Sequence, residues 1–236
     1  MINKNLLKTE SEKLGISLDD VALERFDKYA ELLVYWNERI NLTAITDPDE
    51  IIFKHFVDSI AFLKYCTPEE GASIIDVGTG AGFPGVVLKI VRPDLSITLM
   101  DSTKKKLGVI EEILNEIGLS ANIVHARAEE AGHDDNFREM YDFATARAVS
   151  NLRDLSEYCL PFVKVGGKFV SLKGADAKNE LAEAAVAIKT LGGKTTKTDI
   201  FELKNCGERA IIQIDKVSAT PTKYPRPKGK MQKQPL

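Results

Sequence analysis

The residues best placed to do chemistry lie in Asp76-Val77-Gly78-Thr79-Gly80-Ala81-Gly82-Phe83-Pro84-Gly85, where an apolar run from Ile74 breaks into a glycine-rich turn. A β-branched run suits a buried parallel strand, glycines allow a tight turn and close ligand approach, and the apolar residues 86–91 can begin a helix. Such a loop offers bare backbone amides to a ligand. A second carboxylate, Asp101, closes the short run Ile97-Thr98-Leu99-Met100, twenty-five residues after Asp76. Placed there, a carboxylate accepts both hydroxyls of a ribose, and charge-assisted hydrogen bonds of this kind contribute roughly 1.5–3 kcal/mol. A flexible turn and a helix N-cap before Thr103 would each explain one piece. The order strand, turn, helix, strand, acid favours a nucleoside site.

Glycine spacing narrows the ligand. A dinucleotide fingerprint places its third glycine where Phe83 stands, whereas here the third glycine is Gly82 and an acid, Asp76, precedes the first by two residues. The pattern resembles motif I of the Rossmann-like methyltransferases that use S-adenosylmethionine. That resemblance implies Asp76, Gly78, Gly80, Gly82 and Phe83 around the cofactor, with Asp101 at its ribose.

The elements that must position these residues follow from the patterning. Helices are expected over residues 5–15, 17–40 and 49–65, the second opened by Ser17 with Asp20 and the third by Asp47-Pro48. They make residues 1–70 a helical N-terminal extension. Strands at 73–77, 96–100, 122–125, 141–146 and 168–172 then alternate with helices at 83–91, 103–117, 151–158 and 179–191, the pattern of a parallel sheet covered on both faces. Gly166-Gly167 reads as the turn into the fifth strand, and residues 196–203 and 208–215 as a closing hairpin. The expected fold is α/β: a Rossmann-like class I S-adenosylmethionine-dependent methyltransferase domain over residues 71–216, with a seven-stranded, mostly parallel sheet. The fold class implies the order 3-2-1-4-5-7-6, strand seven antiparallel.

Ligands in open α/β sheets sit beyond the carboxyl ends of the strands. Ala128 and Glu129 leave the third strand, where backbone groups can read an adenine, while Glu130 suits a helix first turn. Arg147 leaves the fourth strand at the switch point, able to pair with a cofactor carboxylate or a substrate phosphate. His55 and Asp58, three apart on a helical face, either border the methionine end and the acceptor or hydrogen-bond between helices. With Arg147 they are the candidates for catalysis. Residues 144–151 contain neither Asn-Pro-Pro-Tyr nor a nucleophilic cysteine. That favours an acceptor with an available lone pair, such as guanine N7, which needs positioning rather than a general base.

Composition sets limits. With 236 residues, 44% of them hydrophobic, the chain can bury a core without staples. Its three cysteines, Cys66, Cys159 and Cys206, show no disulfide or zinc-ligand spacing, so reduced thiols, a cytoplasmic protein and no metal are expected. No signal peptide or membrane span is indicated, and monomer is the default expectation. Net charge is only −3, yet residues 217–236 contain no acid. This basic C-terminal tail offers Lys223, Arg226, Lys228, Lys230 and Lys233 to a polyanion, and it is assigned to RNA rather than to the cofactor.

More specific residues join the glycine motif. Asn41-Leu42-Thr43-Ala44-Ile45, His55-Phe56-Val57-Asp58-Ser59, Asp101-Ser102, Ala144-Thr145-Ala146-Arg147-Ala148, Leu172-Lys173-Gly174 and Lys223-Tyr224-Pro225-Arg226 together resemble the RsmG (GidB) family. The resemblance covers nearly the whole chain. It implies methylation of N7 of one guanine in 16S rRNA of the small ribosomal subunit, with Gly78, Phe83, Ala128, Glu129 and Arg147 contacting S-adenosylmethionine. Pro227-Lys228-Gly229-Lys230-Met231-Gln232 departs from the family's usual Gly-Thr-Pro tail. Two rivals share the cofactor motif: a methyltransferase for another RNA or a small molecule, and a binding module without turnover.

Overall fold

The structure, a computed structural model, describes residues 1–236. Three opening helical segments stand before the sheet. Helix α1 (Lys4–Lys13) is capped by Asn3, whose side chain accepts from the Leu6 amide at 3.0 Å. Helix α2 (Asp20–Asn37) is capped by Asp19, accepting from the Ala22 amide at 2.7 Å, so the expected Ser17 start moves to the better-placed carboxylate. Asp47 caps α3 (Pro48–Ile51) with Pro48 in the first turn, as the sequence suggests.

The third helix is not regular throughout. After α3 the chain passes through a π-helical turn, Ile52–Val57, before resuming as α4 (Asp58–Tyr65). The Asp58 amide donates to the Phe53 and His55 carbonyls rather than to that of Lys54. Widened turns of this type recur at functional sites, and here the Lys54 carbonyl accepts from Arg147 instead.

The sheet contains β1 (Ser73–Val77), β2 (Ser96–Asp101), β3 (Asn122–His125), β4 (Tyr141–Arg147), β5 (Val163–Lys173), β6 (Gly193–Leu203) and β7 (Gly207–Lys216). Its order is β3-β2-β1-β4-β5-β7-β6. The first five pair in parallel, and β7 runs antiparallel to both neighbours, as expected. Strand β1 is buried from Ile74 to Val77, which explains its continuous apolar run. Gly166 and Gly167 lie inside β5 rather than before it, where the pairing with β4 shifts register. The glycines mark a bulge within the strand.

Helices cover both faces. On one face the opening helices pack with α5 (Gly85–Val91) and α6 (Lys104–Glu116); on the other lie α7 (Ala128–Ala131), α8 (Leu152–Cys159) and α9 (Ala177–Thr190). Beyond β7 the chain turns back over the second face and ends in α10 (Lys228–Lys233), with Tyr224 and Met231 buried. None of these helices is long and apolar enough to cross a membrane.

Candidate active site

A cleft of about 660 Å³ opens at the carboxyl ends of β1, β2 and β4, a size suited to one small ligand. Its floor is the glycine loop. The Gly78 and Thr79 amides donate to the Met100 carbonyl at 2.9 and 3.0 Å, tying the loop to β2. The Gly80 amide donates to Asp101 Oδ2 at 2.9 Å, and the Thr103 amide to Oδ1 at 2.8 Å. These two bonds orient the Asp101 carboxylate, and each oxygen keeps acceptor capacity toward the cleft. Gly80 has φ of 60°, and a Cβ there would meet nothing nearer than the Gly78 carbonyl oxygen at 3.9 Å. Its open side therefore faces space that a ligand can fill.

Asp76 and Gly82 do not line the cleft. Asp76 is fully buried beneath the loop, where Oδ2 accepts from Thr79 Oγ1 at 2.7 Å and the Gly85 amide at 2.9 Å, and Oδ1 has no partner. Burial raises its pKa to about 6, against the opposing pull of those two bonds and of Arg147. Gly82 turns inward, where a Cβ would stand 2.7 Å from Tyr29 Oη; that hydroxyl donates to the Ala81 carbonyl at 2.6 Å. Both expected cofactor ligands thus shape the loop from below.

At one end of the cleft Arg147 gathers residues from the helical extension. Its Nη1 donates to the Lys54 carbonyl at 2.7 Å and to Asp58 Oδ2 at 2.9 Å, while Nη2 lies 3.0 Å from His55 Nδ1. Arg209 Nε donates to the other oxygen of Asp58 at 3.1 Å. A guanidinium has only donors, so His55 Nδ1 accepts and the ring proton sits on Nε2, donated to Thr43 Oγ1 at 2.9 Å. Burial, then the Arg147 charge, lowers the His55 pKa to about 3, which keeps the ring neutral at physiological pH. The His55 ring stacks on Phe83 at 4.3 Å, and the Arg147 guanidinium stands 4.9 Å from the same ring. Asp58 supports this group from outside the cleft, whereas His55, Phe83 and Arg147 line it.

At the other end stand Ala128 and Glu129 of α7, as expected, with Asp154 and Tyr158 of α8 and Lys228 and Gln232 of α10. The last four are absent from the sequence reading of the cleft. Asp154 and Tyr158, four apart on one helix, carry a detectable spacing signal; Lys228 and Gln232 arrive only through the fold of the tail. The tail is therefore not separate from the cleft, contrary to expectation. Arg226 is also held internally: its amide and Nε donate to Glu157 Oε1 at 2.7 and 2.8 Å and its Nη2 to Oε2 at 2.7 Å. That geometry takes Arg226 out of the set of free cations, leaving Lys223, Lys228, Lys230 and Lys233 exposed. The other two histidines bond to backbone, His125 with Ser102 and His133 with Pro225.

The reversed β7 beside β5, the glycine loop after β1 and the acid ending β2 together define a Rossmann-like, class I methyltransferase fold. A solved S-adenosylmethionine-dependent O-methyltransferase from Thermotoga maritima is similar in fold at a TM-score of 0.53 and 16% identity, matching 80% of this chain and 73% of its own. The family model described as rRNA small subunit methyltransferase G (GidB) matches residues 22–231. A ribosomal RNA small subunit methyltransferase G from Brevibacillus brevis is 49% identical over 224 residues, 94% of each chain. Its counterpart from Alkaliphilus metalliredigens is 44% identical over 238 residues, the full length of both. The chain belongs to the rRNA small subunit methyltransferase G family.

Proposed function

We propose that this protein transfers the methyl group of S-adenosylmethionine to N7 of one guanine in the 16S rRNA of the small ribosomal subunit. The observation that carries the reading is the Gly80–Asp101 pair at the floor of the cleft, in a chain whose family membership spans almost its whole length. The residues present fit the cofactor. Asp101 suits the ribose hydroxyls, the backbone at Ala128 and Glu129 the adenine, the open side of Gly80 the close approach, and the Arg147 cation the methionine carboxylate. When bound, the cofactor supplies an electrophilic methyl on a sulfonium.

The groups beside the cleft favour N7 over an acceptor that must lose a proton. His55 has its one lone pair facing Arg147 and its one N–H facing Thr43. Asp58 is held between two guanidiniums. Neither is available as a general base, so the work left to the chain is to hold the acceptor in line with the methyl and exclude water. The exposed tail lysines suit RNA phosphates. A ribosomal RNA substrate supports a location in the bacterial cytoplasm.

Incubation with methyl-labelled S-adenosylmethionine and unmodified small subunits, naked 16S rRNA, transfer RNA or protein extract tests the reading. Cleavage mapping at 7-methylguanosine is expected to locate the label at one 16S guanine. Label in transfer RNA or protein would reject the substrate, and label at another atom of guanine would reject N7.

A further inference from the structure

The C-terminal segment carries cations suited to RNA, but its packing points to the cofactor end of the molecule. Four separate contacts dock it between α7 and α8. Pro225 lies so close to Gly132 that a Cβ on that glycine would fall 2.7 Å from Pro225 Cγ. His133 Nε2 donates to the Pro225 carbonyl at 2.6 Å. Arg138 donates through Nη1 to the Tyr224 carbonyl at 2.9 Å and through Nη2 to that of Thr220 at 2.7 Å. Arg226 is clamped on Glu157, whose side chain is only 3% exposed. A charged pair this enclosed holds one geometry, because either partner alone would be stranded without water.

Docked in this way, α10 has its buried Met231 as a peg, while Lys228 and Gln232 border the same cleft as Glu129 and Tyr158. Gln232 is the one carboxamide among the cleft residues. A carboxamide presents a donor and an acceptor side by side, the complement of an adenine edge that pairs an amino group with a ring nitrogen. The main-chain groups of α7 can read only part of that edge.

We propose that the C-terminal segment completes the adenine end of the cofactor site, with Gln232 contacting the adenine 6-amino edge and Arg226 as the positioning residue that pins the segment there. The inference rests on the reading of the cleft as an S-adenosylmethionine site. It makes the tail part of the nucleoside pocket as well as the carrier of the exposed lysines.

Calorimetric binding of S-adenosylhomocysteine, and of its purine analogue lacking the 6-amino group, to the full-length protein tests this without turnover. Gln232 is exposed, so Gln232→Ala leaves the fold intact. It is expected to weaken S-adenosylhomocysteine roughly three- to tenfold and to shrink the affinity gap between the two ligands. Arg226→Ala is expected to weaken S-adenosylhomocysteine in the same direction and to add little to Gln232→Ala, since both act through one docked segment. Wild-type affinity in Gln232→Ala, or equal weakening of both ligands, overturns the contact. Failure of the wild-type protein to bind S-adenosylhomocysteine would instead overturn the reading of the cleft.

Discussion

The two ends of the cleft use the same device for different ends. Each rests on a nearly buried carboxylate that collects arginine: Asp58 holds Arg147 and Arg209, and Glu157 holds Arg226. Arg147 reaches Asp58 with Nη1 alone and still borders the cleft, because β4 ends at the switch point; its Nη2 faces His55, and no protein hydrogen bond engages its Nε. Arg226 meets Glu157 through its amide, Nε and Nη2, and its Nη1 donates to the Gln234 carbonyl at 2.8 Å. All three of its guanidinium nitrogens are engaged by the protein. Arg147 therefore stays in the cleft wall while Arg226 anchors the C-terminal segment, and what separates them is how much of the fork the carboxylate occupies.

The contrast is most exposed to test at the carboxylates. Asp58→Ala strands two guanidiniums in a largely dry setting, and a loss of about 3–5 kcal/mol of unfolding free energy is expected from urea titration. Glu157→Ala strands one guanidinium, that of Arg226, instead of two, and is expected to cost less. Equal losses would break the comparison. Between the two ends, Asp101→Ala is expected to weaken S-adenosylhomocysteine by about 1.5–3 kcal/mol in calorimetry; unchanged affinity would remove the ribose assignment.

A pH experiment isolates the Arg147 end. His55 titrates near 3 when folded against 6.5 for the free side chain, so between those values the unfolded chain binds the extra proton and stability falls as pH falls. Asp76 does the reverse between 3.8 and about 6, where the folded chain holds the proton and stability falls as pH rises. From about pH 4 to 6 the two oppose each other. Comparing wild type with His55→Gln cancels all other groups: the difference in unfolding free energy is expected to drift by ~1 kcal/mol per pH unit, with the variant gaining relative stability as pH falls. A flat difference would mean that the imidazole is not held neutral. The smallest effect concerns RNA. Lys230→Ala is expected to reduce the slope of log affinity against log salt by roughly 0.7–0.9, whereas Arg226→Ala, already neutralised by Glu157, leaves that slope unchanged.

Much of this was legible in advance. The strand, the turn and Asp101 were readable because a buried parallel strand demands a continuous apolar run and the turn after it demands glycine, both local requirements. The sheet order followed from the fold class. Asp76 and Gly82 belong to the motif yet stand outside the cleft lining, since a motif records which residues make a loop and not which of them face out. The π-helical turn left no periodic signature distinct from an ordinary helix. It matters nonetheless, because it presents Lys54, His55 and Asp58 together to Arg147.

The sequence by itself determined the elements, the nucleoside loop and the family, because hydrophobic periodicity, turn chemistry and motif spacing are properties of neighbours along the chain. Only the tertiary structure decided which charged groups are free. Arg147 and Arg226 look alike in a string of letters; their carboxylates lie 89 and 69 residues away. Whether a guanidinium faces a ligand or a buried acid depends on what folding brings within about 3 Å of it, and no local pattern encodes that distance.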